Sequence, residues 1–571
     1  MAGSPDPLAV LAALTAPGAL FEIRGEPVRG VTMPVFASRP RSLRAMIETS
    51  RRFGNRTYVV DGETRLSFAA HLAAVDALAS VLQERYRVAK GDRVAIFAAN
   101  RWEWVACFWA IASIGAVPCG MNGWWTAAEF RYAADLVEPA LLIGDQPRLD
   151  RLGGLAAGCP VLAIEEVAGL AREHAGAVPS PPAADEDEPA LLLFTSGTTG
   201  RPKAVTLPHR SVAGFAQVSE MSEAAAMAAL GWPVPAAGGT LPVSDDVILV
   251  TAPLFHVSML WAAVVLAATR GSAMVLLPGR LDPERVLATI ERERVTSWSA
   301  LGSAAPRVAG CPALGSYDTS SVRYLGVGGA PVSPAVQRRL RAAFPSARAL
   351  GMGYTSTEGG AVIARISGAE YAANPTATGR VTPTTELEIR DELGRPLPDG
   401  EQGEVHVRSP YIMLGYWKDP EASAAVLKED GWLAMGDIGH VSGGLLYLNS
   451  RARDLILVSA ENVSPTEVEY VLEESPDVSE AAVFAVDDEV TGDAVCAVVV
   501  PVPGASPTGE HLAGWCRQRL AHYKVPTHWH VVPGPLPRTA SGKVVKRAVR
   551  EWLDQGSGPA DGPWPALAGQ E

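Results

Sequence analysis

The sequence predicts an α/β fold: a large N-terminal region of several subdomains built on parallel βαβ sheets, a small barrel-like subdomain, and a small α+β C-terminal domain. From about residue 66, short apolar segments alternate with helical patterns, which is typical of parallel sheets. After about residue 380, polar and apolar residues alternate around glycine- and aspartate-containing turns, which predicts antiparallel strands of a barrel-like unit. Beyond 451–454, helical and strand patterns alternate within a short length, which predicts a compact α+β unit.

The first elements follow from the spacing of apolar residues. Residues 69–85 have helical spacing, and 93–99 reads as a strand, with Asn100 expected to cap the helix that follows. Residues 140–143 and 160–164 are short apolar runs, which predict further buried strands. Helices between short buried strands indicate βαβ units.

Several stretches need a separate interpretation. Residues 104–128 and 249–269 carry no formal charge, but glycine or proline interrupts each, which favours buried helix–strand units over membrane spans. The acidic, proline-rich segment 180–189 predicts a surface linker, and 221–246, rich in Ala, Gly and Pro, predicts a long loop. Residues 555–571 have the composition of a disordered tail.

The later elements define the domain boundaries. Alternation predicts strands at 386–390 and 403–408 of the barrel-like subdomain. We therefore expect an N-terminal domain at 1–451, a C-terminal domain at 452–554 and a tail at 555–571. Within the C-terminal domain, helices are predicted at 465–473 and 510–520, and strands at 481–486 and 494–500.

Composition narrows the class of partner and compartment. The 571 residues carry a formal charge of −13, which argues against nucleic acid or an anionic membrane surface as the main partner. The six cysteines form no Cys-x-x-Cys pair, and the N-terminus lacks the pattern of a secretory signal. The sequence therefore predicts a cytoplasmic protein without a transmembrane segment.

The most informative segment is 191–203, which reads Leu-Leu-Leu-Phe-Thr-Ser-Gly-Thr-Thr-Gly-Arg-Pro-Lys. An apolar strand leads into hydroxyls that can donate to phosphate oxygens, glycines that allow close backbone approach, and a lysine that supplies charge. The spacing is not that of the P-loop, Gly-x-x-x-x-Gly-Lys-Ser/Thr. Taken alone, the segment is compatible with either a polyphosphate site or an ordinary surface loop, so distant residues must decide.

Distant segments carry complementary chemistry. Each has an ordinary structural interpretation when taken alone: His256 as a core histidine, Gly436-Asp437 as a hairpin turn, Lys543 as a solvated surface charge. As a set they offer a histidine at a strand end, a glycine-rich turn, an aromatic–hydroxyl–carboxylate cluster, an aspartate suited to sugar hydroxyls, and a lysine on a tight turn. The segments are 253–256, 326–331, 353–358, 431–437, 451–454 and 537–543.

In order, spacing and residue type, these segments resemble the adenylate-forming superfamily of acyl-CoA synthetases, adenylation domains and luciferases. The resemblance runs from about residue 50 to 550. It implies a large N-terminal region, a mobile C-terminal domain and a reaction in two steps. A carboxylate attacks the α-phosphorus of ATP to give acyl-AMP and pyrophosphate. A nucleophile, usually the thiol of coenzyme A, then displaces AMP.

The resemblance also implies the residues that bind ATP. Tyr354 would stack on the adenine, and Asp437 would accept from the ribose hydroxyls with Arg451 beside it. Thr357 would reach the α-phosphate, and Glu358 would bind Mg²⁺, an ion that prefers oxygen ligands. The remaining ATP-binding residues are Thr195, Ser196, Gly197, Thr198, Thr199 and Lys203 at the β- and γ-phosphates, and Gly329, Ala330 and Pro331 at the adenine.

Catalysis and the second step involve further residues. The resemblance implies that Lys543 bridges the carboxylate and the α-phosphate during adenylation, with Thr357, Glu358 and His256 as the other catalytic residues. Arg453 falls at the hinge position. Rotation there would remove Lys543 and bring a coenzyme A tunnel lined by Ser459, Ala460 and Glu461 to the site.

The acyl pocket is expected within 256–260, 298–303, 326–328 and 352–356, which are mostly small or apolar. Amino-acid-activating relatives usually carry an aspartate where this chain has His256, so an uncharged aliphatic or aromatic acid is expected. The predicted pocket residues are His256, Val257, Ser258, Gly326, Gly328, Gly353, Tyr354 and Thr355.

Departures from the family pattern leave alternatives open. Thr355 and Ser450 stand where glycine is common, and Ala460 replaces a glycine of the coenzyme A tunnel. The expected activity is an AMP-forming acid–thiol ligase that uses ATP, Mg²⁺ and coenzyme A. The alternatives are the same adenylation with a carrier-protein thiol or an amine as acceptor and, more remotely, a non-catalytic nucleotide-binding homologue.

Overall fold

The computed structural model describes residues 7–153, 158–195, 202–301, 304–328, 332–451, 454–458, 461–488, 492–539 and 542–554. Up to residue 250 the strands are β1 (Ile23–Val28), β2 (Val31–Phe36), β3 (Thr57–Asp61), β4 (Thr64–Ser67), β5 (Arg93–Phe97), β6 (Val117–Gly120), β7 (Leu141–Gly144), β8 (Val161–Ala163), β9 (Pro189–Thr195), β10 (Lys203–Pro208) and β11 (Val247–Val250). The helices in the same part are α1 (Pro7–Thr15), α2 (Leu43–Glu48), α3 (Phe68–Glu84), α4 (Trp102–Ser113), α5 (Ala127–Val137), α6 (Gln146–Arg151), α7 (Val167–Glu173) and α8 (His209–Ala229).

The rest of the chain continues this alternation and then changes to antiparallel strands. The strands are β12 (Ala273–Leu276), β13 (Ser297–Leu301), β14 (Tyr324–Gly328), β15 (Ala349–Tyr354), β16 (Ala364–Ser367), β17 (Arg380–Val381), β18 (Glu386–Arg390), β19 (Gly403–Arg408), β20 (Gly415–Tyr416), β21 (Trp432–Ser442), β22 (Leu445–Arg451), β23 (Ile456–Val458), β24 (Glu461–Val463), β25 (Val478–Asp488), β26 (Gly492–Pro501) and β27 (His528–Val531). The helices are α9 (Val257–Met259), α10 (Leu266–Arg270), α11 (Pro283–Glu293), α12 (Ala304–Ala309), α13 (Pro334–Ala343), α14 (Gly368–Ala373), α15 (Pro420–Val426), α16 (Pro465–Glu473), α17 (Gly509–Arg517) and α18 (Lys546–Asp554), with a π-helical turn at Leu260–Val265.

Two large, mostly parallel sheets form the N-terminal region. One has seven strands in the order β20-β10-β9-β6-β5-β7-β8, and the other has nine in the order β17-β16-β15-β14-β13-β11-β12-β3-β4. A four-stranded antiparallel sheet, β18-β19-β21-β22, follows, and β23 to β27 form the C-terminal sheet. The predicted fold class is therefore confirmed, because parallel sheets, a small antiparallel unit and an α+β unit occur in the predicted order.

Two local predictions are wrong. The helix α4 begins at Trp102 with Arg101 at its N-cap, so Asn100 does not cap it. Instead, the Asn100 amide donates to the carbonyl oxygen of Ala252 at 2.8 Å and its oxygen accepts from the backbone N–H of Leu254 at 2.9 Å. The helix α8 also runs through the first part of the predicted loop 221–246, because its alanine-rich end has high helix propensity.

Most of the two apolar stretches is buried in the core, as predicted, although Trp124 is exposed. In α4 the side chains of Trp104, Phe108 and Trp109 are almost fully buried, and Trp261 is buried in the π-helical turn. No helix in the described part of the chain combines the length and the hydropathy that a bilayer span requires. All six cysteines are free thiols and form no disulfide bond.

Candidate active site

A cleft of about 1840 Å³ receives side chains from both large sheets and from the C-terminal part of the chain. Most of the predicted site residues that the structure describes line it, although they come from segments that are far apart in the sequence. These are Thr195, Lys203, His256, Val257, Ser258, Gly326, Gly328, Gly353, Thr355, Thr357, Glu358 and Lys543.

Strand pairing fixes the two ends of the hydroxyl-rich loop. In the antiparallel pair β9 and β10, Thr195 lies opposite Lys203. On the other side of β10 lies β20, which places the Lys203 ammonium 4.7 Å from the ring centre of Tyr416, a cation–π distance. The Tyr416 hydroxyl in turn donates to Glu358 Oε1 at 3.2 Å. A cation, a phenol and a carboxylate from three segments therefore line one wall of the cleft. The loop residues Ser196, Gly197, Thr198 and Thr199 lie outside the described residues.

A second direct contact joins two predicted nucleotide-binding residues. The Tyr354 hydroxyl donates to Asp437 Oδ2 at 2.6 Å, and both side chains are buried. Asp437 lies in β21 opposite Arg451 in β22. The Tyr354 side chain is thus directed to Asp437, whereas its neighbours Gly353 and Thr355 line the cleft. The Arg451 side chain and the residues Gly329, Ala330 and Pro331 are outside the description.

His256 lies where the chain turns from β11 into α9, next to the turn that Asn100 holds. Its Nε2 atom is buried and has no hydrogen-bond partner among the described residues. Burial lowers the pKa of the imidazole to about 4, so the ring is neutral near pH 7. The Phe255 ring lies beside it, with the two ring centres 4.6 Å apart. A neutral imidazole facing a cleft can orient an uncharged ligand but provides no anion for an ammonium group.

Lys543 lies on a tight turn, as predicted. The Thr539 backbone N–H donates to the Lys543 carbonyl oxygen at 2.8 Å, and the Lys543 N–H donates to the Thr539 hydroxyl at 3.2 Å. Gly542 has a φ of +80°, a conformation that favours glycine. An ion pair of 2.7 Å between Arg538 and Glu480 holds the base of the turn on the C-terminal sheet. The lysine is therefore presented to the cleft by an anchored turn.

One predicted pocket segment is only partly correct. Residues 298–303 were expected to line the acyl pocket, but the Trp298 indole donates to the Thr251 hydroxyl at 3.1 Å and its ring packs against Phe344 in the core. Side chains alternate along a strand, so Ser297 and Ser299 face the cleft instead.

Other residues that line the cleft were not predicted from the sequence. Tyr324, Gly351 and Ser367 share the cleft face of the nine-stranded sheet with Ser299 and Gly326. The signal was present in the sequence, because small residues recur at every second position of β14 and β15. By contrast, no sequence signal indicated that Tyr416 would contact Lys203 and Glu358.

The roles predicted for the residues of the hinge and the coenzyme A tunnel stay predictions. Arg453, Ser459 and Ala460 lie outside the described residues, as does the side chain of Glu461, whose backbone is in β24. The segment between them is represented by β23 and by Asp454, which lines the cleft. The chain thus passes from the four-stranded sheet to the C-terminal sheet at the edge of the cleft.

The acidic groups of the cleft limit how a metal ion is held. Within the described ranges, no group of three or more His, Cys, Asp or Glu side chains has the geometry of a metal cage. Mg²⁺ does not require one, since it keeps several waters and binds through one or two carboxylates together with phosphate oxygens. A single carboxylate at Glu358, in the cleft that Lys203 and Thr195 also line, fits that mode of binding.

Comparisons with known proteins identify the family. The family model described as AMP-binding enzyme matches residues 47–417, and the AMP-binding enzyme C-terminal domain matches residues 467–543. The chain belongs to this family of AMP-binding, adenylate-forming enzymes.

Among relatives, the chain is 33% identical over 514 residues to a feruloyl-CoA synthase of Amycolatopsis sp, covering 88% of this chain and 97% of the relative. It is 33% identical over 502 residues to an indoleacetate–CoA ligase of Aromatoleum aromaticum, covering 86% and 93%. Among solved structures, the amide bond synthetase McbA from Marinactinospora thermotolerans superposes with a TM-score of 0.76 at 31% identity, covering 90% of this chain and all of that one.

Proposed function

We propose that the chain activates an uncharged aliphatic or aromatic carboxylic acid with ATP and transfers the acyl group to coenzyme A. In the first step a carboxylate oxygen bonds to the α-phosphorus, and the bond from that phosphorus to pyrophosphate breaks. In the second step the thiol sulfur bonds to the acyl carbon, the bond to AMP breaks, and the thiol proton is released. Adenylation is needed because oxide is a far poorer leaving group than a phosphate ester.

One observation carries the proposal: Lys543, presented by a turn of the C-terminal sheet, lines the same cleft as Lys203 and Glu358. The reaction brings two anions together and develops charge on phosphorus oxygens, so cations held in place on both sides of the cleft are the groups that it requires. A surface lysine with no such role has no reason to converge on this cleft.

We assign the described residues by position. Lys203 and Thr195 would bind the β- and γ-phosphates, and Thr357 the α-phosphate. Glu358 would hold Mg²⁺, which when bound neutralises phosphate charge. The Tyr416 hydroxyl, which donates to Glu358, fixes the orientation of that carboxylate.

The adenosine half of ATP falls to a second set of residues. The buried Tyr354–Asp437 pair would bind the adenine and the ribose hydroxyls, respectively. The hydrogen bond from the Tyr354 hydroxyl orients the carboxylate of Asp437, an acceptor group that suits the ribose hydroxyls. His256 would orient the acid as a neutral imidazole.

The alternation of the C-terminal domain belongs to the same proposal. We assign domains at 1–451 and 452–554 with the hinge at Arg453, and the coenzyme A tunnel to Ser459, Ala460 and Glu461. The independent family match to 467–543 supports a separate C-terminal unit. Lys543 would then act in adenylation only, because rotation at the hinge removes it from the cleft.

A screen with separate half-reactions tests the proposal. Purified protein with ATP, Mg²⁺ and a panel of acids is assayed for pyrophosphate, and the products formed with coenzyme A are identified by mass spectrometry. We expect Lys543→Ala to slow adenylation by about 10²- to 10³-fold and to leave thioester formation from pre-made acyl-AMP near the wild-type rate. Lys524→Ala is the matched control, since Lys524 is in the same domain but pairs with Glu467. Equal loss of both half-reactions contradicts the assignment of Lys543.

An amine acceptor is the second candidate, favoured by the 31% identity to an amide bond synthetase over 90% of this chain. The adenylation step and its residues are the same in both cases. Amide formation from acyl-AMP with amines, in the absence of any thioester with coenzyme A, decides for this alternative.

A further inference from the structure

The cleft extends well past His256. Along β14 the cleft face presents Gly328, Gly326 and Tyr324 in turn, and the four steps of strand from Gly328 to Tyr324 span about 13 Å. Asp246 and Ser272, which precede β11 and β12, line the same cleft. The cavity therefore extends along the nine-stranded sheet from the carboxyl end of β14 to the ends at which the parallel strands begin, and we call this part of the cleft the passage.

One face of helix α8 lines the cleft opposite the sheet, and we call it the roof. Phe215, Ser219, Glu223 and Ala226 line the cleft at helical spacing, and the eleven steps of helix from Phe215 to Ala226 rise about 17 Å. The roof is apolar at Phe215 and becomes polar at Ser219, where Glu220 also lines the cleft. The roof and the floor are therefore of similar length, and the remote end is polar.

Most charged groups at the remote end already have partners. Arg270 is held by both oxygens of Glu223, at 2.7 and 2.9 Å, and donates to the Pro242 carbonyl at 2.8 Å. Asp246 accepts from the Ser244 hydroxyl at 3.0 Å and from the Thr296 hydroxyl at 2.8 Å. These groups hold one another, so they are not the ones that a ligand finds available.

Glu220 differs from these neighbours. It is half-buried, lines the cleft and makes no ion pair with any residue that the structure describes. Burial raises the pKa of its carboxyl, and the charge of Arg270 and a hydrogen bond from the Thr269 side chain offset only part of that effect. An apolar ligand end placed against this carboxylate would displace water and supply no hydrogen bond in return, which disfavours binding.

We propose that the acid carries a hydrogen-bond donor, a hydroxyl or an amino group, at the end remote from its carboxylate, and that Glu220 recognises it. This rests on the proposed function, since the passage binds the acid only if the chain catalyses that reaction. Glu220 is then a specificity-determining residue that takes no part in adenylation. The serine hydroxyls of the passage, at Ser219, Ser297 and Ser299, provide the same polar setting along its length.

A series of straight-chain acids matched in size tests the inference. Acids of roughly 6 to 14 heavy atoms in the chain, the longest of which match the about 13–17 Å of the passage, are assayed for pyrophosphate release with a methyl, hydroxyl or amino terminus. At the length that reaches Glu220, we expect the kcat/KM of the hydroxyl or amino acid to exceed that of the methyl acid at least tenfold. The hydroxyl and amino arms distinguish a neutral donor from a cation. A methyl preference at every length overturns the inference.

Variants separate this inference from the proposed function. Glu220→Met keeps the side-chain size but removes the acceptor, so we expect the preference for the donor terminus to disappear while the turnover of propanoic acid, too short to reach Glu220, is unchanged. Glu220→Gln serves if the methionine variant is unstable, and should abolish a preference for the amino terminus. Glu84→Met, at an exposed helix end away from the cleft, is the matched control. Unaltered preference in both Glu220 variants contradicts the inference, whereas no pyrophosphate with any acid contradicts the proposed function itself.

Discussion

The two faces of the nine-stranded sheet have opposite compositions although the same strands form both. On one face Trp298, Leu325 and Leu350 lie side by side in register and are nearly fully buried. One residue further along, Ser299, Gly326 and Gly351 lie side by side on the other face and line the cleft. Because side chains alternate, each of these strands contributes residues both to the packed core and to the wall of the cleft.

The contrast shows where stability and function are separable in this molecule. The core face gains its stability from buried apolar area, about 25 cal/mol for each Å². The cleft face buries less apolar area, because its small and hydroxyl-bearing side chains leave space for a ligand. Substitutions on the first face should therefore change the free energy of unfolding, and those on the second should change the recognition of the acid.

The largest expected effect is on the core face. Trp298→Ala removes a fully buried indole and should lower the free energy of unfolding by about 3–5 kcal/mol. Its neighbour on the other face, Ser299→Ala, should change that free energy by no more than about 0.5 kcal/mol. Urea unfolding followed by circular dichroism measures both, using the first cooperative transition because a chain of several domains need not unfold in one step. Similar losses in the two variants would show that the two faces are not separable.

On the cleft face the expected effect is smaller and falls on binding. A Cβ atom at Gly351 would lie 2.7 Å from the Tyr324 hydroxyl and 3.2 Å from Ser367 Cβ, so Gly351→Ala pushes the tyrosine ring into the passage. We expect the KM for the acid to rise about tenfold, the equivalent of about 1.4 kcal/mol, with little change in the KM for ATP.

A matched glycine gives the control for this experiment. Gly169 in α7 has open space around its Cβ position and is not among the residues that line the cleft, so Gly169→Ala should leave both KM values unchanged. A rise in the KM for ATP alone in the Gly351 variant would place the nucleotide, and not the acid, against Tyr324.

The same alternation explains what the sequence analysis could and could not predict. Strong apolar periodicity and family motifs were enough for the fold class, and α16 spans the residues predicted for it. The orientation of Trp298 was mispredicted because its segment was taken as a block, although the residues of a strand face opposite sides. Asn100 was mispredicted because its side chain finds stronger partners in a turn some 150 residues later.

Contacts between distant segments were beyond sequence reasoning for a physical reason. The Tyr416–Glu358 hydrogen bond and the position of Glu220 depend on how helices and sheets are placed against each other. Motif spacing reports which groups are present but not which of them are already paired. Because Arg270 pairs with Glu223, Glu220 has no ion pair among the described residues.

The smallest expected effect concerns a third surface, where α16 of the C-terminal part packs against α13. Glu473 is half-buried there, and burial raises the pKa of its carboxyl to about 7 although the Ser333 hydroxyl opposes the shift. The unfolded chain releases this proton near pH 4.5, so between about pH 4.5 and 7 the folded state holds more protons. Stability therefore falls as the pH rises through this window, unlike that of a core made only of apolar side chains.

Glu473→Gln should remove this dependence. At pH 8 we expect the variant to be more stable than the wild type by on the order of 1 kcal/mol, since one pKa unit corresponds to about 1.4 kcal/mol and water relieves part of the burial. At pH 4.5 the two proteins should be equally stable. Thermal midpoints at both pH values measure the difference, and Glu474→Gln, the exposed neighbour that lies 4.0 Å from Arg338, is the matched control. If Glu473→Gln and the wild type have equal thermal midpoints at both pH values, the contact between the two helices is open to water. The contact then resembles the cleft face of the sheet more than its core face.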